Sequence, residues 1–173
     1  VRVFQIPIAG DALLAQLHDI ISRADDRPKP DVIGDVVADI AAGPPRVDRN
    51  MPRAKKVAAL PRKLADDIQS YDVTVRSLLH YPAGGGMGWH TNSEAPGWRV
   101  YVPHVAVARP LSGMLTTDGC FMDRSGFANL FEIASDRDSW HAVFAMTERC
   151  SIGVRLPTDS ERVHAWLGLA PLI

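Results

Sequence analysis

Between Asp72 and Leu156 the chain repeats short runs rich in β-branched and aromatic residues, at 73–81, 98–107, 113–117, 127–133, 140–146 and 150–156, each bounded by Gly, Pro, Asp or Ser. Runs of this length, separated by turn-forming clusters, predict an all-β sandwich or barrel. The last run, Arg149 to Leu156, is the most informative. Side chains alternate across a strand, so Cys150, Ile152, Val154 and Leu156 share one face while Arg149, Ser151, Gly153 and Arg155 share the other. The apolar face is expected to pack beneath a layer of helices. The arginine face then points to solvent or into a polar interior, and this strand taken alone favours solvent.

The flanking segments supply the helices. Residues 1–8 read as a short strand, and Asp11 is a plausible N-cap for a helix carrying Leu13, Leu14, Leu17, Ile20 and Ile21 at helical spacing. Residues 25–52 are rich in Pro, Asp and Gly, around an apolar island at 32–42 that fits a strand or a short helix equally well. Pro52 or Pro61 opens a helical stretch to Tyr71 with Leu60, Leu64 and Ile68 on one face. A final helix, capped by Thr158 or Ser160, holds Val163, Trp166 and Leu167. A chain of 173 residues is long enough for one core. A single domain is therefore expected over 1–173, with 1–71 buttressing a core at 72–157 and a helix at 158–168.

Composition narrows the function classes. With 46% apolar and 23% charged residues, the sequence is that of an ordinary globular protein. A formal charge of −1 gives no general attraction to phosphate backbones, so a nucleic-acid partner is not expected. One basic stretch stands out: Arg46, Arg49, Arg53, Lys55, Lys56, Arg62 and Lys63 against the single acid Asp48, either a solvated helix face or a landing strip for an anionic substrate. Cys120 and Cys150 make neither a disulfide framework nor a Cys-x-x-Cys pair, which fits a reducing cytoplasm. No apolar run approaches the roughly 20 residues that cross a bilayer, so no membrane association is expected.

Three elements carry chemistry. Gly88-Trp89-His90-Thr91-Asn92 places a histidine beside glycine, with a side-chain oxygen two residues later. His141 lies within the run Trp140-His141-Ala142-Val143. Two histidines and one oxygen donor on three corners of an octahedron form the facial arrangement of non-haem iron(II) oxygenases. Arg149 with Ser151 offers a cation and a hydroxyl able to hold a carboxylate by charge-assisted hydrogen bonds.

In this order the residues resemble the iron(II)/2-oxoglutarate-dependent oxygenase superfamily, with its His-x-Asp/Glu pair, distal His and Arg-x-Ser. The resemblance covers about half of the chain, 73–156. It implies a double-stranded β-helix (jelly-roll, cupin-like) barrel in a mainly β, α+β fold, with His90, Asn92 and His141 as metal ligands and His90 and His141 as the catalytic pair. It further implies Arg149, Ser151 and Tyr81 as the 2-oxoglutarate site, with an inward-pointing arginine face. Tyr81 and Arg155 also stand where the nucleic-acid-dealkylating branch has a tyrosine and a second arginine.

The expected cofactors are Fe(II) and 2-oxoglutarate, with ascorbate admissible as a reductant. The expected partners are O2 and a small organic substrate, an amino acid or secondary metabolite, which the enzyme would hydroxylate or otherwise oxidise. Trp89, Trp98, Arg99, Tyr101, Met114 and Arg155 are candidates for the barrel mouth or substrate contact, and Gly84, Gly85 and Gly86 for a mobile lip or a simple loop. The oligomeric state is open, a homodimer being admissible. The departure from the family is Asn92, which coordinates without a negative charge; Glu94 and Asp118 are the nearest acids that would compensate. A nucleic-acid- or protein-modifying oxygenase and an inactive cupin-like binding protein are the alternatives.

Overall fold

The computed structural model describes residues 1–23, 74–81, 83–105, 111–134 and 139–168. The apolar island at 32–42, the helical stretch ending at Tyr71 and the basic stretch 46–63 lie outside the described residues.

The described residues form two antiparallel sheets flanked by two helices. The strands are β1 (Val3–Pro7), β2 (Thr74–Tyr81), β3 (Gly85–His90), β4 (Gly97–Val105), β5 (Ser112–Thr116), β6 (Gly119–Met122), β7 (Phe127–Ile133), β8 (His141–Ala145) and β9 (Arg149–Leu156). The helices are α1 (Ala12–Arg23) and α2 (Glu161–Trp166). One sheet runs β1-β7-β4-β9-β2, the other β3-β8-β5-β6. Each run expected from the sequence is a strand, with ends shifted by up to two residues. β3 and β6 are additional.

The two faces of the five-stranded sheet differ as the alternation in β9 requires. Cys150, Ile152, Val154 and Leu156 lie buried in one cluster with Val100 and Val102 of β4, Leu13, Leu14, Leu17 and Ile21 of α1 and Val163 of α2. This apolar layer sits between sheet and helices and fixes which way β9 faces. The opposite face carries Arg149 and Ser151, both buried, beside their register partners Tyr81 and Leu79 on β2. The preference for solvent that β9 suggests in isolation therefore gives way at Arg149 and Ser151. Their face meets the inner side of the second sheet, where Met87, Met114, Thr116, His141, Val143 and Ala145 are buried.

Local chemistry sets the ends of the elements. Asp11 Oδ1 accepts a hydrogen bond from the Leu14 amide at 3.0 Å, capping α1, and its Oδ2 accepts one from the Trp166 indole N–H at 2.7 Å, tying α1 to α2. Ser160 is the N-cap residue of α2, but its hydroxyl makes no capping bond. Gly113 allows β5 and β6 to approach closely: a Cβ there would stand 2.2 Å from the Phe121 carbonyl oxygen.

Candidate metal centre

The segment read from sequence as a lip or loop, Gly84 to Gly86, is the start of a strand. Gly84 makes the turn at φ +81°, and Gly85 and Gly86 are buried in β3 opposite Ala145 and Phe144 of β8. The pairing slips between Met87 and His90, so that His90 comes to lie opposite His141. Such a bulge re-aims the side chains that follow it. Here its consequence is that the two imidazoles meet, with ring centroids 4.2 Å apart.

Each ring is oriented by the same local device. His90 Nδ1 is 2.8 Å from the carbonyl of Gly88, and His141 Nδ1 is 2.8 Å from the carbonyl of Ser139, in both cases two residues earlier in the chain. A carbonyl only accepts, so Nδ1 carries the proton in both rings and Nε2 is the lone-pair nitrogen. Anchoring one ring nitrogen on a carbonyl so that the other can coordinate is how metal-binding histidines are commonly held. Burial holds the His141 pKa well below its ordinary value, and the neighbouring His90 adds to the effect. His141 is thus kept neutral, as a ligand must be.

Asn92, in the turn after β3, reaches the same point: its amide nitrogen lies 3.2 Å from His141 Nε2 and donates to it. Turning the amide by 180° about its last side-chain bond points Oδ1 there instead. Two anchored imidazoles and an amide oxygen make a donor set that fits a divalent iron ion, and all three donors are neutral. The acids expected to compensate do not join them. Glu94 lies exposed in the turn after Asn92, and Asp118, exposed in the β5–β6 turn, is paired with the Val1 amino group. Among the described residues, no group of three His, Cys, Asp or Glu side chains gathers to hold a metal.

Arg149 lies elsewhere on the inner wall. Along β8 the inward residues are His141, Val143 and Ala145, facing Thr116, Met114 and Ser112 on β5. Four residues of strand, ~13 Å, separate the two ends. At the far end Ser112 Oγ donates to Asp123 Oδ2 at 2.8 Å, and Arg149 Nε donates to the same oxygen at 2.6 Å. Arg149 Nη1 donates to Ser151 Oγ at 2.8 Å, and the Arg149 Cζ lies 5.1 Å from the centre of the Tyr81 ring. Asn129 Nδ2 donates to Asp123 Oδ1 at 2.9 Å and is braced by Gln5 Nε2 at 3.1 Å from its own oxygen.

Sequence reasoning missed Asp123. It is a buried carboxylate that already answers the buried guanidinium. Burial pushes its carboxyl upward, but the charge and hydrogen bonds of Arg149, with those from Ser112 and Asn129, outweigh this and hold it below its ordinary value. The same ion pair raises Arg149 despite its burial. Burial pushes the Tyr81 phenol upward, so it stays protonated. A lone acid before a loop carries no local signal of this role, because its partner lies 26 residues away.

The substrate candidates scatter. Arg99 and Tyr101 share the inner face with Arg155 and Gly153, their partners on β9. Arg99 donates to the carbonyls of Ala95 and Trp98, and its charge reaches both His141 and Tyr101. The Tyr101 ring stacks 5.5 Å from Phe131, which in turn stands 5.2 Å from the His141 ring. Met114 is buried beside Phe131, and Trp89 is buried in β3. Arg155 is half-buried six residues along β9 from Arg149. Trp98 lies on the helix side of its sheet, 6.4 Å from the Phe4 ring, with its indole N–H bonded to Thr158. A cavity of about 300 Å³ opens beside Trp98, lined also by Arg2, Phe4, Asp118 and Glu132, and neither His90 nor His141 borders it.

No protein-family model, curated protein or solved structure matches this sequence. No helix among the described residues is long and apolar enough to cross a membrane.

Proposed function

We propose that this chain is a non-haem iron(II) oxygenase that consumes a 2-oxo acid, 2-oxoglutarate in the superfamily it resembles, while oxidising a small organic substrate. The observation that carries this reading is the pair of neutral imidazoles, 4.2 Å apart and each anchored through Nδ1 to the carbonyl two residues before it. The strand order supports it. Numbering the eight strands from β2 to β9, the sheets read 6-3-8-1 and 2-7-4-5, the interleaving of a jelly roll or double-stranded β-helix, with β1 added at one edge. His90, Asn92 and His141 would hold the iron, which supplies O2 activation coupled to decarboxylation of the oxo acid. The chain's own part is to present two Nε2 lone pairs and an amide oxygen, to keep His141 unprotonated by burial, and to line the space beyond with Met114, Phe131 and Val143. Inward-facing Arg99 and Tyr101 are the polar groups best placed to orient a substrate.

The test is spectroscopic. Iron(II) with 2-oxoglutarate, added without oxygen, should give a visible metal-to-ligand charge-transfer band that His141→Ala abolishes; a native protein with no band and no retained iron would refute the reading. A second reading, a metal-free binding module, is favoured by one specific observation: Asp123 neutralises the arginine meant for the co-substrate. It predicts that no iron is retained.

A further inference from the structure

The inner wall holds one fully enclosed ion pair, and it stands where a dicarboxylic co-substrate would place its second carboxylate. Asp123 and Arg149 are both buried, at 3% and 2% relative exposure. Asp123 accepts from Arg149 Nε, Ser112 Oγ and Asn129 Nδ2 at 2.6, 2.8 and 2.9 Å, so both of its oxygens are engaged by donors that are buried themselves. The guanidinium is therefore already matched by one negative charge in a water-poor setting. A second carboxylate brought to it would lie beside Asp123, and juxtaposed like charges cost several kcal/mol. Between this end and the histidines the inner wall is apolar, with Met87, Val143 and Met114 buried along it and Leu79 near Tyr81.

We infer that Asp123 is the residue that sets co-substrate choice, and that this site takes a 2-oxo monocarboxylic acid with an apolar or neutral tail in preference to 2-oxoglutarate. The inference rests on the iron and oxo-acid reading above and specifies the acid. The oxo-acid end needs nothing from Arg149, since a metal at His90 and His141 would bind it. The tail then meets methionine and valine side chains and the neutralised Arg149–Asp123 pair. A five-carbon monoacid has the length of 2-oxoglutarate without its distal charge, so the two differ only in the group that Asp123 opposes.

The experiment compares 2-oxopentanoate with 2-oxoglutarate as ligands of the iron(II)-loaded protein without oxygen, by the charge-transfer band and by tryptophan fluorescence. The native protein should bind 2-oxopentanoate roughly tenfold or more tighter. Asp123→Asn, which removes the competing charge and leaves Arg149 in place, should reverse the preference. Tighter binding of 2-oxoglutarate by the native protein would overturn the inference and leave the oxygenase reading standing. If neither acid perturbs an iron-loaded protein, or no iron binds, the oxygenase reading fails and the inference with it. Should Asp123→Asn not fold, as judged by circular dichroism, the native comparison still decides the matter.

Discussion

Arg149 and Asp123 show how one residue's role depends on another far along the chain. Removing either alone leaves an uncompensated buried charge, and such losses cost about 3–5 kcal/mol. Arg149→Met and Asp123→Leu should each lower stability by that order in urea titrations. The double variant should recover most of the loss, because two packed apolar side chains replace the pair. A double variant as unstable as the sum of the singles would mean that the pair is not the unit described. Asn92 offers a second test at this scale. Asn92→Asp adds a negative ligand to a neutral set, so iron retention should rise by at least about tenfold in anaerobic dialysis; unchanged retention would exclude Asn92 from the coordination sphere.

The elements differ in how plainly the sequence announces them. β7, β8 and β9 were legible because β-branched and aromatic residues alternate between two faces, and α1 because Asp11 precedes a helical apolar stripe. β3 was not, since glycine is a poor strand former. Gly85 and Gly86 pair there because the fold brings β8 alongside, a tertiary cause with no local mark. The bulge that turns His90 toward His141 is hidden for the same reason. α1 depends on its cap: Asp11→Ala should cost about 1–2 kcal/mol, with its link to Trp166 lost as well. Gly113→Ala should cost about 1–3 kcal/mol, because its Cβ would collide with the Phe121 backbone and part β6 from β5. Thermal melts of the two variants check both figures.

At the scale of the whole molecule, two sheets close over an interior that is polar at both ends and apolar between them. The metal ligands were legible as spaced motifs, whereas the acid that answers Arg149 emerged only when β6 and β9 were brought together. The buried titratable groups also set how the metal-free protein responds to acid. Unfolded His141 takes up a proton near its ordinary value of 6.5, while the folded group refuses it until well below that. Stability should therefore fall as pH drops below 6.5 toward the folded value, by up to about 1.4 kcal/mol per pH unit. His141→Gln should flatten that slope in urea titrations between pH 8 and pH 5. Asp123, held below its ordinary value of 3.8, contributes stability that is present above that value and is lost as pH falls through its lower folded one. The central claim is that two imidazoles from β3 and β8 form one iron site, and the most direct test is anaerobic equilibrium dialysis against iron(II). The account predicts one equivalent retained by the native protein and none by His90→Ala or His141→Ala; equal retention by all three, or none by the native protein, would contradict it.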